Sequence, residues 1–108
     1  MATLLFSNNP TSLIDDTGGI SDIDTTLTVT ASDGALFPAI TVSGNYFMAT
    51  LVDASNNQEI VKVTARTGDA LTIVRAQEST TAVSFSKGGI VSNRLTAGAL
   101  DLIKDRAN

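Results

Sequence analysis

Between Asp24 and Ser32 apolar and polar residues alternate: Leu27, Val29 and Ala31 fall on one side, Thr26, Thr28 and Thr30 on the other. A period of two built from β-branched residues predicts a strand with one buried face. "NYFMATLVD" (45–53) alternates the same way, with Phe47, Ala49 and Leu51 opposite Tyr46, Met48, Thr50 and Val52. "QEIVKVTAR" (58–66) sets Glu59, Val61, Val63 and Ala65 against Ile60, Lys62 and Thr64, and "ALTIVRAQ" (70–77) completes a three-strand meander. The turns between them are Asn56-Asn57, which tolerates left-handed backbone, and Gly68-Asp69. "SDGALFPAI" reads as a loop whose Leu36 and Phe37 are apolar plugs, since Asp33-Gly34 signals a turn and Pro38 cannot donate to a ladder. Residues 78–89 read as a long Ser/Thr-rich loop or edge hairpin, and "IVSNRL" (90–95) as a last strand.

The final residues change period. Leu95, Ala99 and Ile103 recur at helical spacing, widened by Leu100 and Leu102, with Thr96 as N-cap and Lys104 and Arg106 suiting the last turn. A helix this short is marginal unless it docks. The expected organisation is thus an extended amino-terminal arm (1–23), a small antiparallel β-barrel or sandwich (24–95), and a C-terminal helix and tail (96–108). The fold class is all-β. Period two on each strand makes Phe37, Phe47, Leu51, Val61, Val63, Leu71, Ile73 and Phe85 the expected core, with Phe37 and Phe85 closing the ends.

Composition removes several functions. The chain of 108 residues has no cysteine and no histidine, which excludes disulfides, thiol catalysis and the usual zinc ligands. With no tryptophan and few aromatics, a sugar- or base-stacking platform has little to work with. No stretch approaches the roughly 20 apolar residues that span a bilayer, and "MATLLFSNNPTS" lacks the basic start of a signal peptide. Charge is uneven: residues 1–61 sum to −7 and residues 62–108 to +3, within a chain of −4. That polarity suits head-to-tail contact between copies, unless the fold simply mixes the two halves. A net negative chain with no basic cluster is not expected to bind nucleic acid.

Candidate chemistry is confined to two places. Glu59, Lys62, Arg66, Arg75, Gln77 and Glu78 are interleaved with the meander strands, but at irregular steps that do not converge. They read as the wet face of a sheet, in cross-strand pairs contributing roughly 0.2–1 kcal/mol each. "DDTGGISDID" (15–24) holds four aspartates, but without the glycine and glutamate positions of a calcium loop it reads as a solvated acidic bend. No catalytic site, metal or cofactor is expected.

The order "SDGALFP", "GNYFMATLVDASNNQEIVKVTARTGDALTIVRAQEST", a glycine before the last strand and "RLTAGAL" resembles a small module of tailed-bacteriophage virion proteins. The likeness covers about residues 24–102. Ala76 and Ser79 stand where that family often has glycine. The resemblance implies a non-enzymatic virion protein, made in the host cytoplasm, that docks on the particle as a fibre anchor or tail-associated adaptor. A capsid decoration (cement) protein is the alternative, and a carbohydrate-binding module a weaker one. It also implies tail, fibre or major capsid protein as partners, and a homo-oligomer, with a trimer the favoured arrangement. From the residues themselves, Leu4, Leu5 and Phe6 in the arm and Leu100 and Ile103 in the helix are the expected interface, because neither segment buries its apolar side chains alone.

Overall fold

In a computed structural model of the chain, residues 11–41 and 44–93 are described. Six strands, β1 (Thr11–Leu13), β2 (Thr26–Thr28), β3 (Phe47–Val52), β4 (Gln58–Thr67), β5 (Ala70–Gln77) and β6 (Ile90–Ser92), form one antiparallel sheet in the order β1-β6-β3-β4-β5-β2, curled into a half-barrel. The edges β1 and β2 approach each other just beyond their ends. There Ile14 and Val29 form a bridge, Asp15 N–H donates to the Thr28 carbonyl at 2.8 Å and Thr30 N–H to the Leu13 carbonyl at 3.1 Å. Backbone groups that an open edge would leave unpaired are satisfied by this contact.

The concave side is the core. Phe37, Phe47, Leu51, Val61, Val63, Leu71, Ile73 and Phe85 are all buried, and Ile14, Ile20, Leu27, Val29, Ala49 and Val91 join them. Phe37 stacks on Phe47 with ring centroids 5.7 Å apart. Leu36, expected beside it as a second plug, is instead exposed. It sits in a single 3-10 turn (Asp33–Leu36) that turns its side chain outward and leaves Phe37 pointing in.

That turn is held from a distance. Asp69, in the tight turn between β4 and β5, accepts hydrogen bonds from Ser32 N–H (3.1 Å) and Gly34 N–H (2.8 Å), and its carbonyl accepts from Val29 N–H (3.0 Å). Ser32 makes no side-chain cap of its own, so a carboxylate 35 residues beyond Gly34 supplies the missing acceptor. The approach is close enough that a Cβ on Gly34 would lie 2.1 Å from the Gly68 carbonyl oxygen.

The expected arm over residues 1–23 is corrected for its second half. Thr11–Leu13 pairs with β6, Ile14 and Ile20 are core residues, and Ile20 bridges Phe85 through two backbone hydrogen bonds of 2.8 and 2.9 Å. Ser12 faces inward, donating to Asp33 at 2.7 Å, while Leu13 faces outward at 45% exposure. The apolar–polar order is thus inverted there, so no strand signal survives in the sequence. Likewise the expected strand over 24–32 shrinks to Thr26–Thr28 plus the Val29 bridge. The expected helix over 96–108, and Leu4, Leu5, Phe6, Leu100 and Ile103, lie outside the described residues.

Candidate functional site

Glu59 and Arg75 stand apart from the other polar residues of the meander. Glu59 continues the inward row Val61–Val63 on β4, and Arg75 continues the inward row Leu71–Ile73 on β5. The two meet. The Arg75 Nε donates to Glu59 Oε2 and its Nη2 to Glu59 Oε1, both at 2.8 Å, with the Glu59 side chain fully buried and that of Arg75 9% exposed. A two-point guanidinium–carboxylate pair of this kind is strong and orientation-specific. The expectation that these side chains do not converge and lie on a wet face is therefore corrected for Glu59 and Arg75.

The pair binds more than itself. Arg75 Nη1 donates to the Ser21 and Asp24 carbonyls, and Nη2 also donates to the Val83 carbonyl at 2.7 Å. Glu59 accepts from the backbone N–H of Ala76 (2.9 Å) and of Val83 (3.1 Å). Two loops, 21–24 and the stretch around Val83, are thereby fastened to β4 and β5. Burial pushes the Glu59 carboxyl up and is the largest single influence. The bonds from Arg75, Ala76 and Val83, with the charge of Arg75, together outweigh it and hold the carboxyl below its usual 4.5. Every oxygen and nitrogen of the pair is engaged inward, which leaves no lone pair aimed at a substrate.

A β-bulge makes this possible. Ile60 pairs with Gln77 and Lys62 with Val74, so Arg75 and Ala76 together oppose Val61. Ala76 takes φ 55°, and in the turn that follows Glu78 and Ser79 take φ 51° and 68°. Ala76 and Ser79 are thus both left-handed here, which costs a residue with a Cβ roughly 1–2 kcal/mol. We expect Ala76→Gly and Ser79→Gly each to raise stability by about 0.5–1 kcal/mol, the relief of strain being partly offset by the freer unfolded chain. Chemical denaturation of each variant checks this; an unchanged or lower midpoint in both contradicts it.

The other meander residues face outward or lie at the periphery. Lys62 sits over the Tyr46 ring, 4.7 Å from its centroid, beside Met48 and Ile60. This is a cation–π contact with the stem laid on apolar surface. Arg66 Nη1 reaches the Gly68 carbonyl at 3.4 Å, and Gln77 Nε2 donates to the Arg75 carbonyl at 3.1 Å. Glu78 lies in the turn after β5 and is exposed. Three of the four aspartates of 15–24 have partners within the fold: Asp16 accepts from Thr28 N–H, Asp24 from Ser21 N–H, and Asp15 lies 3.7 Å from Lys87. Among the described residues no three acids gather as metal ligands. Both described ion pairs, Glu59–Arg75 and Asp15–Lys87, join the acidic first half of the chain to its basic second half within one molecule.

The convex face of the sheet is the remaining candidate. Of the residues in the six strands only Glu59 carries a carboxylate, and it points inward. Paired across the outward side are Leu13, Ile90 and Val52, then Thr11, Ser92, Thr50 and Ile60, then Met48, Lys62 and Val74. Leu13, Ile90 and Val74 are 45%, 39% and 44% exposed. Ser92 and Met48 on this side are buried, but where the side is exposed it carries no acid, which in a chain of net charge −4 departs from the charged exterior expected of a solvated sheet face. Comparison with known protein families and with characterised proteins finds no match to this chain.

Proposed function

We propose that the chain is a non-enzymatic structural component of a bacteriophage particle, docking on other virion proteins as a fibre anchor or tail-associated adaptor. The observation that carries the docking part is the acid-free outward sheet face with its row of exposed Leu13 and Ile90 and half-buried Val52. The inward engagement of Glu59 and Arg75 supports a structural rather than a catalytic use of this buried carboxyl. The left-handed backbone at Ala76 and Ser79 supports the likeness to the phage module, because it supplies a physical reason for glycine at those two positions.

The test is quantitative mass spectrometry of purified particles from a phage encoding this chain. Copies per particle set by the few-fold symmetry of a tail or collar support the anchor reading. Copies set by the shell lattice support the decoration reading instead. Absence from the particle refutes both.

A further inference from the structure

The outward row does not end at the sheet margin. Val52 runs directly into Asp53 and Ile90 follows directly on Gly89, and between Asp53–Ser55 and Ser86–Gly89 lies a cleft of about 220 Å³. The cleft is large enough to admit side chains, since about 10–15 Å³ on the same measure already holds a water. Asp53 and Lys87 are among its lining residues; the Asp53 carboxylate is already engaged by Ser55 and Asn57, and the largely exposed Lys87 ammonium lies 3.7 Å from Asp15. An exposed apolar strip leading into a polar notch matches a short extended segment that is apolar at one end and amide-rich at the other.

The chain contains such a segment. Leu4-Leu5-Phe6 is followed by Ser7-Asn8-Asn9, and it carries no charged side chain to conflict with an acid-free face. We propose that the outward row and the cleft receive residues 4–9 of a second copy of this chain, with Leu4, Leu5 and Phe6 over Leu13, Ile90 and Val52 and the amides of Asn8 and Asn9 in the cleft. Direction favours a second copy over the same molecule. Residues 1–10 lead into β1 at Thr11, beside Ser92, whereas the row lies at the Leu13 end. A molecule's own segment must double back along β1 to reach it. Reach is not limiting: ten extended residues span up to roughly 36 Å, and six strands about 24 Å. The inference takes its face from the docking reading, but it concerns association in solution, where no particle is present. The protein can therefore fail this test and still be found on a virion.

The experiment is sedimentation velocity of the full chain over a wide concentration range, with three variants. One lacks residues 2–9; one carries Leu4→Ser, Leu5→Ser and Phe6→Ser; one carries Ile90→Asp. Each is first checked for unchanged β-type circular dichroism and cooperative melting. The intact chain is expected to self-associate, and each variant alone to lose at least 100-fold in association constant. The deletion variant keeps the receiving face and the Ile90→Asp variant keeps the segment, so mixing them is expected to restore a complex of the two. A full chain that stays monomeric overturns the proposal. So does association undiminished by the serine variant, whose changes lie outside the six described strands, or a mixture that behaves as two non-interacting proteins, the result expected if each molecule's own segment or a different virion protein is the occupant.

Discussion

Glu59→Gln lowers the stability of the fold by about 3–5 kcal/mol, the usual consequence of removing one partner from a buried ion pair. The variant keeps the size of the side chain and one carbonyl acceptor. It leaves the Arg75 guanidinium, 9% exposed, without its countercharge, and turns an amide donor toward groups that already donate. Replacing both partners by apolar residues is often harmless in other proteins, but here it is expected to remain destabilising. The carbonyls of Ser21, Asp24 and Val83 and the N–H groups of Ala76 and Val83 lose their partners with the pair, each unsatisfied group costing about 1–3 kcal/mol if it stays buried. Urea denaturation of the two single variants and the double variant measures this. A double variant as stable as the parent would show that the loops 21–24 and around Val83 do not depend on the pair.

The same pair sets an acid limit whose sign follows from its lowered carboxyl. In the unfolded chain Glu59 takes its proton near 4.5, and in the folded chain only at lower pH. Its stabilisation is therefore complete well above 4.5, declines as the pH falls below that value, and is gone once the pH is below the folded value. Asp53, lowered chiefly by the Asn57 side-chain bond, adds a slope of the same sign. Subtracting the acid profile of Glu59→Gln from that of the parent removes the Asp53 part and leaves the Glu59 part. A flat difference between pH 5 and the acid transition contradicts the assignment.

Gly19→Ala is the second large effect, a loss of roughly 3–5 kcal/mol from left-handed strain and overpacking together. Gly19 has φ 78°, and a Cβ there would stand 2.1 Å from the Phe85 carbonyl oxygen and 2.8 Å from the Ser86 Cα. That carbonyl accepts the Ile20 N–H, so relieving the clash pulls apart the bridge that seats Ile20 and Phe85 in the core. Gly18 is the control. Its φ is 79° but no atom lies within 4 Å of the added carbon, so Gly18→Ala should lose only the conformational part, about 1–2 kcal/mol. Thermal melts of the two variants compare the terms directly, and equal losses would mean that the close approach to Phe85 is absent. Because Ser21 and Val83 flank this bridge and are held by Arg75, Gly19→Ala and Glu59→Gln loosen the same region and should add to less than their sum.

The sequence by itself determined the all-β class, the three meander strands, and most of the inward set of each; Ala65, expected on the side of Val63, is exposed because the register shifts between them. Val61 and Val63 on β4 and Leu71 and Ile73 on β5 are legible because period two with β-branched residues has only one way to bury its apolar half. The same period, followed one step further on each strand, also marks Glu59 and Arg75 as inward, a signal that reading charge as exposure passes over. What no local pattern contains is register. Continued straight back from the Thr67–Ala70 pair, the hairpin would set Val63 opposite Val74 and place the apolar rows of β4 and β5 on opposite faces. A one-residue shift between Val63 and Ala65 brings Val63 opposite Ile73, and the second shift at Ala76 lets Arg75 reach Glu59. Nor could the sequence place β1, where Ser12 points in and Leu13 out, or the Asp69 cap on Gly34. Those positions are decided by what packs across from them, because a buried hydroxyl or an exposed leucine is tolerable only once its partners, brought from distant parts of the chain, are in place.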